Sequence, residues 1–295
     1  MTPDAALLAN PRADRVRAVA ALATRSARRR TGTFLVEGPQ GCREALRAHL
    51  GEGPAPVEQW PAGHVLVQVF VGEGLAERDP DLAALVGRLT DVPVRTATAE
   101  VLGAMADAVT AQGIVAVARI PEERSASAVL EGARLAAVLC RVQDPGNAGT
   151  VLRAADAAGA DAVVLTPGSV DPFNPKVVRS TAGSLFHVPL AVGVPVGEAA
   201  ERARAAGLQV WAADGYAPDR LDTLPRDITG EPTAWLFGNE AQGLDDEEMS
   251  RADRRVAVPL YGAAESLNVG TAATVCLYAS AMAAPRDGDA RADGA

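Results

Sequence analysis

Three loops carry the residues able to do chemistry. "LFGNEAQGL", 236–244, sets Gly238, Asn239, Glu240 and Gly243 directly after an apolar run. Glycine lets main-chain atoms approach a ligand closely, and loops leaving strands are where open α/β sheets hold ligands. A plain surface turn is the alternative, although a turn needs only one of these glycines and nothing local asks for Glu240. "QDPGNAGTVLR", 143–153, enters a helix through Pro145, Gly146, Asn147 and Gly149, with Arg153 less than two turns further on. A helix N-terminus offers unpaired N–H groups to an anion, so this loop with Arg153 could hold a phosphate or a hydroxyl. An ordinary capped helix with a solvated arginine is the other reading. "VPLYGAAESLNVGTAA", 258–273, passes Gly262 and enters a helix through Ser266, Leu267 and Asn268. Ser266 reads as a cap, whereas Asn268 has no packing reason to be polar. The loops contain neither the G-x-G-x-x-G of a dinucleotide site nor the G-K-[ST] of a P-loop.

The elements that must position these loops fall into two blocks. In the first, roughly 10–118, "VRAVAALATRSARRR" has helical spacing, "GTFLVEG" is a short strand and "GCREALRAHL" a second helix. "HVLVQVFVGE" and "GIVAVARI" read as strands, with a helix at "DPDLAALVGRLT" between them. The second block opens near Leu135, after the charged stretch "PEERSASAVLEGA", which reads as a linker or bridging helix. There "RLAAVLCRV", "ADAVVLTPG", "LFHVPLAV", "LQVWAAD", "PTAWLFG" and "RRVAVPL" read as strands. Helices intervene at 147–159, with Asn147 as N-cap, at "PKVVRSTAGS", at "VGEAAERARAAG" and at "DDEEMSRAD", and a last helix spans 266–284. The fold expected is α/β with a mainly parallel sheet covered on both faces. The domains are 1–118, a linker at 119–134, 135–285, and a polar tail at 286–295 expected to be disordered.

Composition narrows the class. The 295 residues are 48% hydrophobic and 22% charged, as in globular proteins. No apolar run is long enough for a membrane span, and the N-terminus lacks the order of a signal peptide, so the expected location is the cytoplasm. Cys42, Cys140 and Cys276 are odd in number and far apart, which suggests neither a disulfide framework nor a metal site. His49, His64 and His187 read as structural. A net charge of −9 argues against a nucleic-acid partner, but its distribution does not. Residues 1–50 hold nine arginines (12, 15, 17, 25, 28, 29, 30, 43 and 47) against four acids. Arginine forks suit phosphates, and this stretch is expected to be a phosphate-binding arm. A solvated helix face is the bland alternative.

Taken together, N-x-G-x-x-x-R at 147–153, G-N-E-x-x-G at 238–243 and S-L-N-V at 266–269 resemble the three signature motifs of the SpoU (TrmH-like) branch of SPOUT RNA methyltransferases. The resemblance covers nearly all of 135–284. More weakly, "GTFLVEGPQGCREAL" is similar to the opening of the family's substrate-binding domain, which is like the ribosomal protein L30e fold. The resemblance implies a deep trefoil knot, a homodimer and S-adenosylmethionine (SAM) as cofactor. It places cofactor contacts on Gly238, Val258, Leu260 and Leu267, and the chemistry on Asn147, Arg153, Glu240 and Asn268. Two-domain relatives are typically 23S rRNA ribose 2′-O-methyltransferases, with thiostrepton-resistance enzymes close by. A tRNA ribose 2′-O-methyltransferase and an inactive RNA-binding assembly factor are the alternatives. Gly270 stands where the family often has serine.

Arg153 has two readings. It is a transient base, or it holds the phosphate next to the reacting ribose while the proton leaves late to water. The arginine pKa favours the second. Glu240 is expected to order Arg153 or its neighbours, and Asn268 to fix the loop or the 2′-hydroxyl.

Overall fold

The computed structural model of the chain describes residues 7–53, 58–107 and 112–284. The tail at 286–295, read as disordered, lies outside them. Two units are present: Met1–Glu122 with Asp171–His187, and Glu123–Val170 with Val188–Ala295. The stretch Asp171–His187 lies inside the second sequence block yet groups with the first unit.

In chain order the first unit contains α1 (Asp14–Ala20), α2 (Arg25–Thr31), β1 (Thr33–Glu37), α3 (Gly38–Leu50), β2 (Leu66–Gly72), α4 (Leu75–Arg78), α5 (Pro80–Gly87), β3 (Val94–Ala97), α6 (Ala99–Met105) and β4 (Ile114–Arg119). The strands form one mixed sheet in the order β1-β4-β2-β3, with β2 and β3 parallel and the other pairs antiparallel. The basic stretch 16–30 is not one helix, as its spacing suggested. Thr24 is extended, and its hydroxyl caps α2 through the Ala27 N–H, which breaks the helix there. Arg28 is 2% exposed. Its guanidinium donates to Asp171 at 3.1 and 2.6 Å and to the carbonyls of Leu22 and Ala23. It therefore belongs to the core and not to a phosphate-binding face.

The second unit, with one helix assigned to the first, continues as α7 (Ala126–Leu130), β5 (Leu135–Leu139), α8 (Pro145–Ala157), β6 (Ala162–Leu165), α9 (Pro175–Ser180, first unit), β7 (Leu190–Val192), α10 (Val196–Ala205), β8 (Gln209–Ala213), β9 (Asp219–Arg220), α11 (Arg226–Thr229), β10 (Thr233–Phe237), α12 (Asp246–Ser250), β11 (Arg254–Ala257) and α13 (Val269–Ala283). The sheet order is β7-β6-β5-β10-β8-β11-β9, and every pairing is parallel. Strand residues alternate between two faces. Ala136, Val138, Val164, Val210, Ala212, Ala234 and Leu236 pack with residues of α7 and α10. On the opposite face Trp211 and Trp235 meet edge to face, and Trp235 donates to Ser280 of α13 at 3.0 Å. Both faces are thus covered, as the apolar strand runs required.

Two expectations fail here. "LFHVPLAV" is not one strand: Ser184–Phe186 is a 3₁₀ turn, and only Leu190–Val192 pairs. Phe186 leaves the strand path for a cluster with Trp60 and Phe34, and Pro189 has no N–H for a ladder. Asn147 does not cap α8. Asp144 does, accepting the Asn147 N–H at 2.8 Å, because Pro145 is suited to the first helical position.

Candidate active site

β5, β10, β8 and β11 are consecutive parallel neighbours, so their C-terminal loops gather at one edge. The loop after β10 is built from its own backbone. Asn239 and Gly243 exchange N–H···O bonds of 3.0 and 2.8 Å, and the Asn239 carboxamide accepts from the N–H groups of Ala241 and Gln242. Gly243 has φ +66°, which favours glycine. A Cβ on Gly238 would overlap the backbone of Gly243 and Leu244. Closure of this loop therefore requires glycine at 238.

Glu240 reaches out of that loop to the one after β5. Its carboxylate accepts from the N–H groups of Gln143 (3.2 Å) and Asp144 (3.0 Å) and from Asn147 Nδ2 (3.1 Å). Burial pushes this carboxyl up, but the bonds it accepts from the backbone and Asn147 outweigh burial and leave its pKa lowered. Asn147 Oδ1 in turn accepts from Asn268 Nδ2 at 2.8 Å. Asn268 Oδ1 caps α13, accepting from Gly270 N at 2.9 Å and Thr271 N at 3.3 Å. The chain has a direction. A carboxylate only accepts, so Asn147 must turn its NH₂ to Glu240 and its oxygen to Asn268. Asn268 must then turn its NH₂ to Asn147 and its oxygen to the helix. One relay ties all three loops together.

A cleft of about 620 Å³ opens beside the relay. It is lined by Phe237–Leu244, by Ala213–Tyr216 after β8, and by Val258, Leu260 and Glu265–Val269. Gly238, Val258, Leu260 and Leu267 all lie on its wall, as do Glu240 and Asn268. Asn147 stands one hydrogen bond behind it, and Arg153 does not line it. Arg153 is exposed on α8. It lies between Thr150, which abuts Gly270, and Ala157, whose carbonyl accepts from Tyr278 of α13 at 3.3 Å. Glu240 bonds the neighbouring loop and makes no hydrogen bond to Arg153. Gly270 has a packing reason: a Cβ there would sit 2.9 Å from Thr150 Cγ2.

Arg141 went unnoticed in the sequence. Its guanidinium forks onto Glu248 with two bonds of 2.8 Å, lies 3.2 Å from Asp245, and donates to Gln242 Oε1 at 3.2 Å. Bonding to Glu248 drives its pKa up against the opposing effect of burial. The signal was a cation preceding a glycine-rich loop, which alone says nothing about a partner more than 100 residues away.

The SpoU rRNA Methylase family matches residues 134–278, which include all three loops. Two relatives match over most of both chains. The 23S rRNA (guanosine(2553)-2′-O)-methyltransferase RlmP of Bacillus subtilis is 36% identical over 87% of this chain and 92% of its own. The 23S rRNA (uridine(2479)-2′-O)-methyltransferase of Streptomyces viridochromogenes is 31% identical over 88% and 86%. The chain belongs to the SpoU rRNA methylase family. Among solved structures, an RNA 2′-O ribose methyltransferase superposes with a TM-score of 0.76 at 27% identity, covering 94% of this chain and 99% of that one. An AdoMet-bound rRNA methyltransferase from Sinorhizobium meliloti gives 0.74 at 27% identity, covering 93% and 97%.

Proposed function

We propose that this chain transfers the methyl group of SAM to a ribose 2′-hydroxyl of 23S rRNA. The observation that carries the proposal is the relay from Glu240 through Asn147 to Asn268, which joins the three signature loops beside one cleft. The family and the 2′-O-methyltransferase relatives support it.

SAM fits the cleft. Its volume lies within the roughly 300–1,000 Å³ of small-molecule sites, and its wall combines main-chain groups with Val258, Leu260 and Leu267. When bound, SAM supplies an electrophilic methyl on a sulfonium with a neutral leaving group. The S–CH₃ bond breaks, the O–CH₃ bond forms, and the hydroxyl proton must leave. Glu240 is not the base, since its oxygens are engaged by Gln143, Asp144 and Asn147. It holds the loop after β5 in register with the cofactor wall. Arg153 binds the phosphate beside the reacting ribose, and the proton leaves late to water, because a guanidinium scarcely deprotonates. Asn268 fixes the entry of α13 and the orientation of Asn147.

The first unit is the RNA-binding part. Arg12, Arg15, Arg25, Arg29 and Arg30 are exposed there and make no ion pair among the described residues, which leaves them for phosphates. The enzyme works as a homodimer in the cytoplasm. Val275, Tyr278 and Met282, exposed at helical spacing on α13, support the dimer. Among the described residues no helix is long and apolar enough to cross a membrane, and no cluster suits a metal ion. The return of β10 between β5 and β8 is compatible with the family's knot.

Mapping ribose methylation on ribosomal and transfer RNA, with and without the gene, tests the proposal. One 23S position should lose its methyl group. A lost tRNA position, or no lost position, would contradict it.

A further inference from the structure

We propose that Arg141 is a positioning residue that holds the loop Asn239–Gly243 in the shape that admits SAM. The inference rests on the reading of the cleft as the SAM site.

Arg141 is the second residue of the loop leaving β5 and has φ +54°. A side chain with a Cβ adopts that conformation at a cost, and glycine would not. The backbone there is tied on both sides. Its N–H donates to Thr166 Oγ1 at 3.1 Å, and its carbonyl accepts from Asn239 Nδ2 at 2.9 Å. The main chain alone thus explains the turn, and glycine would make it without strain. What glycine could not do is the work of the guanidinium, which bridges two partners. Two parallel bonds of 2.8 Å fix it to Glu248, whose side chain is 5% exposed and also accepts from the Asp245 N–H to cap α12. The remaining donors reach Gln242 Oε1 at 3.2 Å and the Gly243 carbonyl at 3.4 Å, on the returning limb of the cofactor loop. Gln242 and Gly243 line the cleft, and Arg141 does not. The cation stands behind the wall and pins it to a capped helix. A bidentate fork fixes direction as well as distance, so the loop is preorganised before the cofactor arrives.

Arg141→Gly relieves the backbone and removes the clamp. If the freed loop is competent about a tenth of the time, the apparent Kd for SAM rises roughly tenfold. SAM titration and methyl-transfer kinetics on unmodified 23S rRNA transcript read the effect. The expected result is a higher Kd and KM for SAM, with kcat at saturating SAM and RNA affinity both within about twofold of wild type. Arg141→Lys should fall in between, since one ammonium cannot serve both partners. Glu248→Gln should move in the same direction as Arg141→Gly. SAM binding by Arg141→Gly within twofold of wild type overturns the proposal, as does a loss of kcat with unchanged KM. If Arg141→Gly does not fold, Arg141→Lys and Glu248→Gln decide by the same criteria. Failure of the wild-type protein to bind SAM would instead overturn the reading of the cleft.

Discussion

Changing Asn268 to Asp separates the two jobs of that side chain. Asn268 Oδ1 caps α13 through Gly270 and Thr271, while Nδ2 donates to Asn147. Aspartate keeps the cap, and its charge at a helix N-terminus adds roughly 0.3–1 kcal/mol. It cannot donate to Asn147. With Asn147 as it stands, a carboxylate oxygen would face Oδ1 across a gap now 2.8 Å wide. Flipping the Asn147 amide only moves the conflict, because its oxygen would then face Glu240. Either arrangement forfeits a hydrogen bond worth about 1 kcal/mol and adds acceptor repulsion. Together these should cost activity roughly 10- to 100-fold. Asn268→Ala loses cap and relay alike, at about 1 kcal/mol each. Thermal unfolding and methyl transfer from tritiated SAM measure the two effects. Asn268→Asp should melt close to wild type yet show that loss of activity, and Asn268→Ala should be impaired in both. An active Asn268→Asp protein, or one as unstable as Asn268→Ala, would refute the relay.

Other perturbations test other parts of the account. Arg28→Ala should destabilise the protein by about 3–5 kcal/mol in urea unfolding, because it strands Asp171. Changing Arg25, Arg29 and Arg30 together should leave stability alone and flatten the salt dependence of RNA binding by up to about 0.7–0.9 per lost contact. Gly270→Ser should cost roughly 1–3 kcal/mol by overpacking, and Thr150→Ala should restore part of that loss; part only, since Thr150 Cβ also lies 3.0 Å from the added atom. The lowered pKa of Glu240 sets the pH dependence of the relay. A depressed carboxyl contributes fully above its ordinary value, about 4.3, and its contribution fades as pH falls through the lowered one. SAM affinity should thus be level from pH 7 to 5 and fall only below that range, with Glu240→Gln already weak at pH 7. A midpoint near pH 6 would contradict this.

How much of this was legible in sequence depends on the range of the interaction. The parallel sheet followed from apolar runs alternating with helical spacing, and the three loops stood out because glycine, Asn and Glu have little other reason to cluster after strands. The relay was not legible. Asn147, Glu240 and Asn268 are brought together by strand order, which periodicity does not encode. Asn268 had a local reason to be polar after all, as a cap. Arg28 looked like one of a basic run, and its burial depends on Asp171, far along the chain. Arg141 likewise depends on Glu248. The steric demand at Gly238 was not legible either, since it comes from closure of the loop against Gly243 and Leu244.

The central claim is ribose methylation from this cleft, with Arg153 serving the RNA and not the cofactor. It is tested most directly by incubating the purified protein with SAM and unmodified 23S rRNA, then mapping riboses protected from alkaline cleavage. Wild-type protein should protect one ribose. Arg153→Ala should protect none, although it should bind SAM as well as wild type in isothermal titration. Arg153→Lys should be almost as poor at every pH. Activity in the lysine variant that climbs with pH would point to proton removal instead. Full protection by Arg153→Ala, or no protected ribose with SAM-bound wild-type protein, would contradict the account.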